Sequence, residues 1–223
     1  MEVYNFGYQK KKKSFLSGLS VNTQIIILNI ILFIVFSILI RTNILTWDYI
    51  AIKPSNIFEG KYIWTFLTSM FMHGGLFHLF VNMFSLFFVG SLIQKLLGPK
   101  RYLSFYLIAG LFAGIFFVLA SLIFPADFNS YAIGASGALF GLIGLMMFLT
   151  PNLPVYVMFI PIPIKIKYAA PGILILLWLI SVLGEIPIGN TAHLGGLIVG
   201  LIYGFYLRMK YKNKVKAISK RFS

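Results

Sequence analysis

The chain has 223 residues, 59% of them hydrophobic, with a mean hydropathy of +0.90. That excludes a soluble domain of this size, and the repeated runs of about 17–20 apolar residues match a bilayer core roughly 30 Å thick. The formal charge of +14 raises nucleic acid as a partner, but the cations cluster beside the apolar runs and argue against it, while the absence of cysteine excludes disulfide and thiolate chemistry.

The expected fold is an all-α membrane protein, a single six-transmembrane-helix bundle. Residues 1–22 form a basic tail containing Lys10 to Lys13. The first span, about 23–40, lacks a small-residue cleavage pattern and is read as retained. The outer loop that follows, about 41–73, carries Trp47, Tyr49, Tyr62 and Trp64. Such aromatics favour the headgroup region, so the loop is expected in the outer interface with short helices of its own; a plain anchoring loop is the alternative. The second and third spans cover about 75–96 and 102–124, and the fourth about 135–150. The connector 151–167 holds Pro151, Pro154, Pro161 and Pro163 and is expected to be irregular, with no chemistry assigned. The fifth and sixth spans cover about 168–184 and 192–209, and a basic tail, 210–223, ends the chain.

Lysine and arginine set the orientation. Lys10 to Lys13, Lys95, Lys100, Arg101, Lys165, Lys167 and the cations from Arg208 to Arg221 fall on one side. The other side has Arg41, Lys53 and Lys61 together with Asp48, Glu59, Asp127 and Glu185. Both termini are therefore expected in the cytoplasm. The basic tails read either as a topology signal or as ligands for anionic lipid headgroups. No internal repeat is found, so an inverted-repeat transporter gains no support.

Ionisable and nucleophilic groups inside spans read as functional. Ser136 opens the fourth span in Gly134-Ala135-Ser136-Gly137, and His193 opens the sixth in Ala192-His193-Leu194-Gly195-Gly196. His78 and Asn82, one helical turn apart, lie near the start of the second. The second, fourth and sixth spans run from outside to inside, so all four groups share the outer part of the membrane. A serine needs a base to become a nucleophile, and His193 is the candidate. His78 and Asn82 carry donors that would stabilise an oxyanion together with the Ser136 N–H; a polar helix–helix contact is the alternative. Gly137, Gly141 and Gly144 against Gly196, Gly200 and Gly204 would let the fourth and sixth spans approach closely. None of the five acidic residues is central to a span, so a dyad is expected rather than a triad. Phe140, one turn after Ser136, is placed to pack on the imidazole, or is ordinary packing. No cofactor or metal is expected. Five-residue spacing sets His73 about 140° around a helix from His78, and no His-Glu-x-x-His occurs. His73 is expected to support the loop entering the second span.

These motifs, in this order on the second, fourth and sixth spans, resemble those of rhomboid intramembrane serine proteases over about residues 20–210. The resemblance implies Ser136 as nucleophile, His193 as general base, and His78 and Asn82 as oxyanion donors. It implies transmembrane protein substrates that reach an outward-facing wet cavity laterally, between spans two and five. Span five and the short cap 184–190 would be the mobile elements. Three departures stand out. Trp64-Thr65 replaces a frequent Trp-Arg, Gln94 stands where a glutamate often follows span two, and Phe140 stands where a tyrosine often stacks on the histidine. An inactive rhomboid-like protein that binds membrane helices, and a small six-span transporter, are the alternatives. Short tails and missing cysteine point to a prokaryotic cell membrane.

Overall fold

The structure is a computed structural model that describes residues 18–157, 161–185 and 188–222. Lys10 to Lys13 and most of the 1–22 tail lie outside the described residues, as does part of the cap 184–190.

The surface is inside out relative to a soluble protein. Leu28, Ile31, Ile34, Phe80, Phe84 and Leu183 are exposed, while Asn22, Asn29, Thr65, His73, Asn82 and His193 are buried. A bilayer demands this arrangement, because apolar side chains lose nothing by facing lipid and polar ones must find partners within the protein. Among the described residues, five helices are long and apolar enough to cross a membrane: Val21–Arg41, Leu76–Leu97, Pro99–Ala120, Ile166–Leu183 and Asn190–Lys210. A shorter apolar helix, Ser136–Leu149, completes a six-helix bundle. The protein is multi-pass.

Helix α1 (Val21–Arg41) begins at Ser20, whose hydroxyl accepts from the Thr23 N–H at 3.1 Å. The outer loop does contain short helices: α2 (Pro54–Phe58), α3 (Thr65–Thr68) and single 3₁₀ turns at Trp47–Tyr49 and Ser69–Phe71. The second span is α4 (Leu76–Ser85) and α5 (Ser91–Leu97), joined by a π turn over Leu86–Gly90. Asn22 fits into that turn. Its Nδ2 donates to the Leu86 carbonyl at 2.8 Å and to Ser91 Oγ at 3.1 Å, and its Oδ1 accepts from the Tyr102 hydroxyl at 2.5 Å. Gln94 Oε1 accepts the Asn22 backbone N–H at 2.7 Å, so it ties span two to the start of span one. Gly90 is required here, since a Cβ would run into the Asn22 amide. Asn22→Ala would leave the buried Leu86 carbonyl and Tyr102 hydroxyl short of a partner. We expect a loss of about 1–3 kcal/mol, read as a lower unfolding temperature in detergent.

Helix α6 (Pro99–Ala120) starts three residues before the expected 102 and stops at Ala120 rather than near 124. Proline suits the first helical position. At the other end Pro125 disfavours helix at Phe124, and the chain turns into α7 (Pro125–Phe128). Helix α8 (Ser136–Leu149) follows. The connector expected to be irregular instead holds a minimal antiparallel hairpin, β1 (Pro154–Val155) with β2 (Ile164–Lys165). Its prolines do not prevent this, because Pro161 and Pro163 fall outside the paired residues and Pro154 is the first residue of its strand, where proline is tolerated. Helices α9 (Ile166–Leu183) and α10 (Asn190–Lys210) are the last two spans. The segment expected to be a basic tail forms helix α11 (Lys212–Arg221), anchored by buried Val215.

The bundle is built around α8, which packs between α6 and α10. A Cβ on Gly196 would collide with the Gly137 carbonyl oxygen, and one on Gly200 with that of Gly141. Gly137 in turn meets Ala113 of α6. Backbone-to-backbone packing of this kind is how membrane helices gain close van der Waals contact without a hydrophobic driving force. By contrast, α9 buries only Ile166, Ala169, Ala170 and Leu174, all in its first half; Ile175, Leu179, Val182 and Leu183 are exposed. The first loop and the segment before α8 meet on one face of the bundle. Ile52 of the first outer loop bridges Ala132, and Asp48 accepts from both Asn56 and Tyr131.

Candidate active site

Ser136 is the first residue of α8, reached through Gly134, whose φ of +115° suits glycine alone. A Cβ at Gly134 would also sit 3.0 Å from the His78 ring. Ala135 offers no capping side chain, so the first-turn N–H groups of α8 have no side-chain acceptor there. The helix is 14 residues long, or roughly 21 Å, against a hydrocarbon core of roughly 30 Å. The helix is therefore shorter than the core it would cross.

His193 sits in the first turn of α10 and is 8% exposed. The glycine seam brings it to α8, where its Nε2 lies 2.7 Å from Ser136 Oγ. Its Nδ1 is buried with no hydrogen-bond partner among the described residues. No carboxylate orients the ring. Phe140 stacks on it instead, with centroids 4.7 Å apart and planes 21° from parallel. A hydroxyl and an imidazole in this geometry can exchange a proton, provided Nε2 carries none at the start.

His78 and Asn82 lie one turn apart on α4, and the His78 ring borders Gly134. His78 Nδ1 accepts the Gly74 N–H at 3.2 Å, which assigns the imidazole proton to Nε2, the atom beside Gly134. His78 therefore presents a donor two residues from Ser136. Asn82 is buried and donates to the His78 carbonyl at 2.8 Å, leaving its second amide hydrogen available.

Two contacts, His73 with Ala135 and Asp127 with Thr191, were not visible in the sequence. His73 is buried in contact with His78, ring centroids 5.1 Å apart, and its Nε2 faces the Ala135 N–H at 3.5 Å. It supports span two and also the turn before Ser136. Asp127 of α7 accepts from the Thr191 hydroxyl at 2.8 Å, two residues before His193. Burial pushes the Asp127 carboxyl above its ordinary value, and the Thr191 hydroxyl opposes that rise. This bond pins the start of α10 to the outer segment. Among the described residues, no three His, Cys, Asp or Glu side chains are grouped to hold a metal ion.

A family model described as Rhomboid domain matches residues 60–210. The chain is 34% identical over 165 residues to RHOMBOID-like protein 6, mitochondrial, of Arabidopsis thaliana, covering 72% of this chain and 48% of that protein. It is 35% identical over 160 residues to RHOMBOID-like protein 1 of the same plant, covering 70% and 37%. It is also 37% identical over 143 residues to a protein named Inactive RHOMBOID-like protein 8, covering 63% and 37%. The chain thus spans half or less of the length of these relatives.

Proposed function

This chain belongs to the rhomboid family, and from that premise we propose that residues 23–209 form an intramembrane serine endopeptidase acting on membrane-anchored proteins just below the outer surface. The observation that carries this reading is the 2.7 Å approach of Ser136 Oγ to His193 Nε2 across two helices. Ser136 gives its proton to His193 Nε2 and attacks the scissile carbonyl carbon. The resulting oxyanion is held by the Ser136 backbone N–H, His78 Nε2–H and the Asn82 amide. His193 then passes its proton to the leaving amine, the peptide bond breaks, and an acyl-enzyme ester remains. Water gives a proton to His193 and attacks the ester, and collapse returns the proton to Ser136 Oγ.

The exposed second half of α9 (Ile175, Leu179, Val182, Leu183) and the exposed Phe77, Phe80 and Phe84 of α4 support lateral access between spans two and five. A helical substrate hides its carbonyls in hydrogen bonds, so cutting requires locally unstable helix, with Gly, Pro or small residues near the site. The basic inner face and the lack of cysteine support a cell membrane with both termini cytoplasmic. Two relatives are named mitochondrial, and imaging of a tagged chain in its own cell decides between the two membranes.

One relative is named inactive. A protein that only binds membrane helices has no use for a paired serine and histidine, and that pair favours hydrolysis here. The deciding experiment incubates purified protein in detergent with a single-span test substrate. Two fragments meeting in the outer third of the span are expected; an intact substrate, or cutting unchanged by stabilising its helix with leucines, counts against the proposal. In the same assay Thr191→Val should lower kcat several-fold by releasing the start of α10 from Asp127, and Thr191→Ser should restore it.

A further inference from the structure

The outer half of the molecule carries the candidate site; the inner half carries most of the charge. At the inner end of α10, cations and tyrosines converge. Lys210 donates to the Tyr206 hydroxyl at 2.8 Å and lies over the Tyr206 and Tyr211 rings, 5.3 and 5.7 Å from their centroids. Lys214 of α11 lies 6.0 Å from the same Tyr211 ring. Arg101 lies in the first turn of α6, one turn before Phe105, whose ring stacks on Tyr203 with centroids 4.8 Å apart, so α6 brings a guanidinium to the same end of α10. Tyr203 and Tyr206 stack with centroids 6.2 Å apart, which gathers the group into one patch.

Among the described residues, no acidic side chain forms an ion pair with the patch. Of the five acidic residues in the sequence, Asp48, Glu59, Asp127 and Glu185 belong to the outer side, and Glu2 lies outside the described residues. Like charges held together by packing of α11, through Val215, and of Tyr203 on Phe105, 4.8 Å apart, call for an anion from elsewhere. A topology signal alone needs lysines near a span. It does not need a guanidinium, two ammonium groups and a phenol brought to one place. The Tyr206 oxygen accepts from Lys210, so its own O–H remains free to donate. Directly above, Ile202, Phe205 and Met209 form an exposed apolar stripe on α10. Charge below and an apolar track above have the shape of one lipid.

We propose that Arg101, Lys210, Lys214 and Tyr206 bind the phosphate headgroup of an anionic phospholipid of the inner leaflet, its acyl chain lying along Ile202, Phe205 and Met209. The guanidinium and ammonium groups neutralise the phosphodiester, and the phenol adds a neutral hydrogen bond. This inference does not depend on whether Ser136 is a nucleophile.

The test is native mass spectrometry of the purified chain in detergent, with phosphatidylglycerol and phosphatidylcholine of identical acyl chains added in turn. Wild type should retain one phosphatidylglycerol at concentrations where phosphatidylcholine is not retained. Lys210→Glu with Lys214→Glu should weaken that retention about tenfold or more while leaving helicity and elution volume unchanged. If the double reversal does not fold, Lys210→Gln with Lys214→Gln removes the charge without reversing it and should weaken retention in the same direction. Equal retention of the two lipids, or retention by the folded charge variants equal to wild type, overturns the proposal. So does displacement of the lipid by millimolar inorganic phosphate, which would make this a site for the free anion.

Discussion

Ser136→Ala and His193→Ala should each reduce kcat for a single-span substrate by roughly 10⁴-fold or more, and the double variant should be no slower than either alone. The non-additivity follows from the geometry. Among the described residues, His193 Nε2 and Ser136 Oγ are each other's hydrogen-bond partner, 2.7 Å apart. Removing either leaves the other idle, so the second substitution takes nothing more away. A structural role for the pair predicts something else: two partial losses that add. His78→Ala should behave differently again, lowering kcat about 10²–10³-fold while leaving the proton exchange between Ser136 and His193 intact. Single-turnover rates on one substrate across the four variants separate these outcomes.

The second large effect lies away from the reacting atoms. Gly196→Val should cost about 3 kcal/mol or more of stability and remove nearly all cleavage. A side chain at Gly196 meets the Gly137 carbonyl oxygen, and no rotamer avoids it because the obstacle is met at Cβ. The helices must separate. Gly137 is one residue from Ser136 and Gly196 three from His193, so separation opens the reacting pair directly, and an ångström of misplacement is enough to cost two orders of magnitude. Gly172 faces open space, so Gly172→Ala is the matched control and should leave both stability and rate close to wild type. Thermal unfolding in detergent beside cleavage of one substrate checks both.

Legibility in the sequence divided by the range of the interaction. The spans were visible because a bilayer imposes length and apolarity on each helix separately, and their ends moved only where a local rule intervened, as Pro125 does at the end of α6. The seam was visible because small residues recur every four positions or so on two helices. Ser136, His193, His78 and Asn82 were visible because polar groups are out of place in a membrane. Contacts between distant polar groups in ordinary settings were not visible. Asn22 filling a π turn, Asp127 reaching Thr191 and His73 approaching Ala135 each join residues more than sixty positions apart. Nothing in local pattern marks such pairs. The hairpin at Pro154–Lys165 and helix α11 escaped for a different reason: proline and charge density are read as breaking order, whereas packing against the bundle supplies it.

Half-buried Ser136, with its Oγ 2.7 Å from His193 Nε2, should behave as a base-activated nucleophile. The most direct measurement treats the purified chain with a fluorophosphonate and maps the adduct by peptide mass spectrometry. One adduct, on Ser136, is expected in wild type, with labelling at least about a hundredfold slower in folded His193→Ala. Labelling spread over other serines, or a Ser136 rate unchanged by loss of His193, would contradict it.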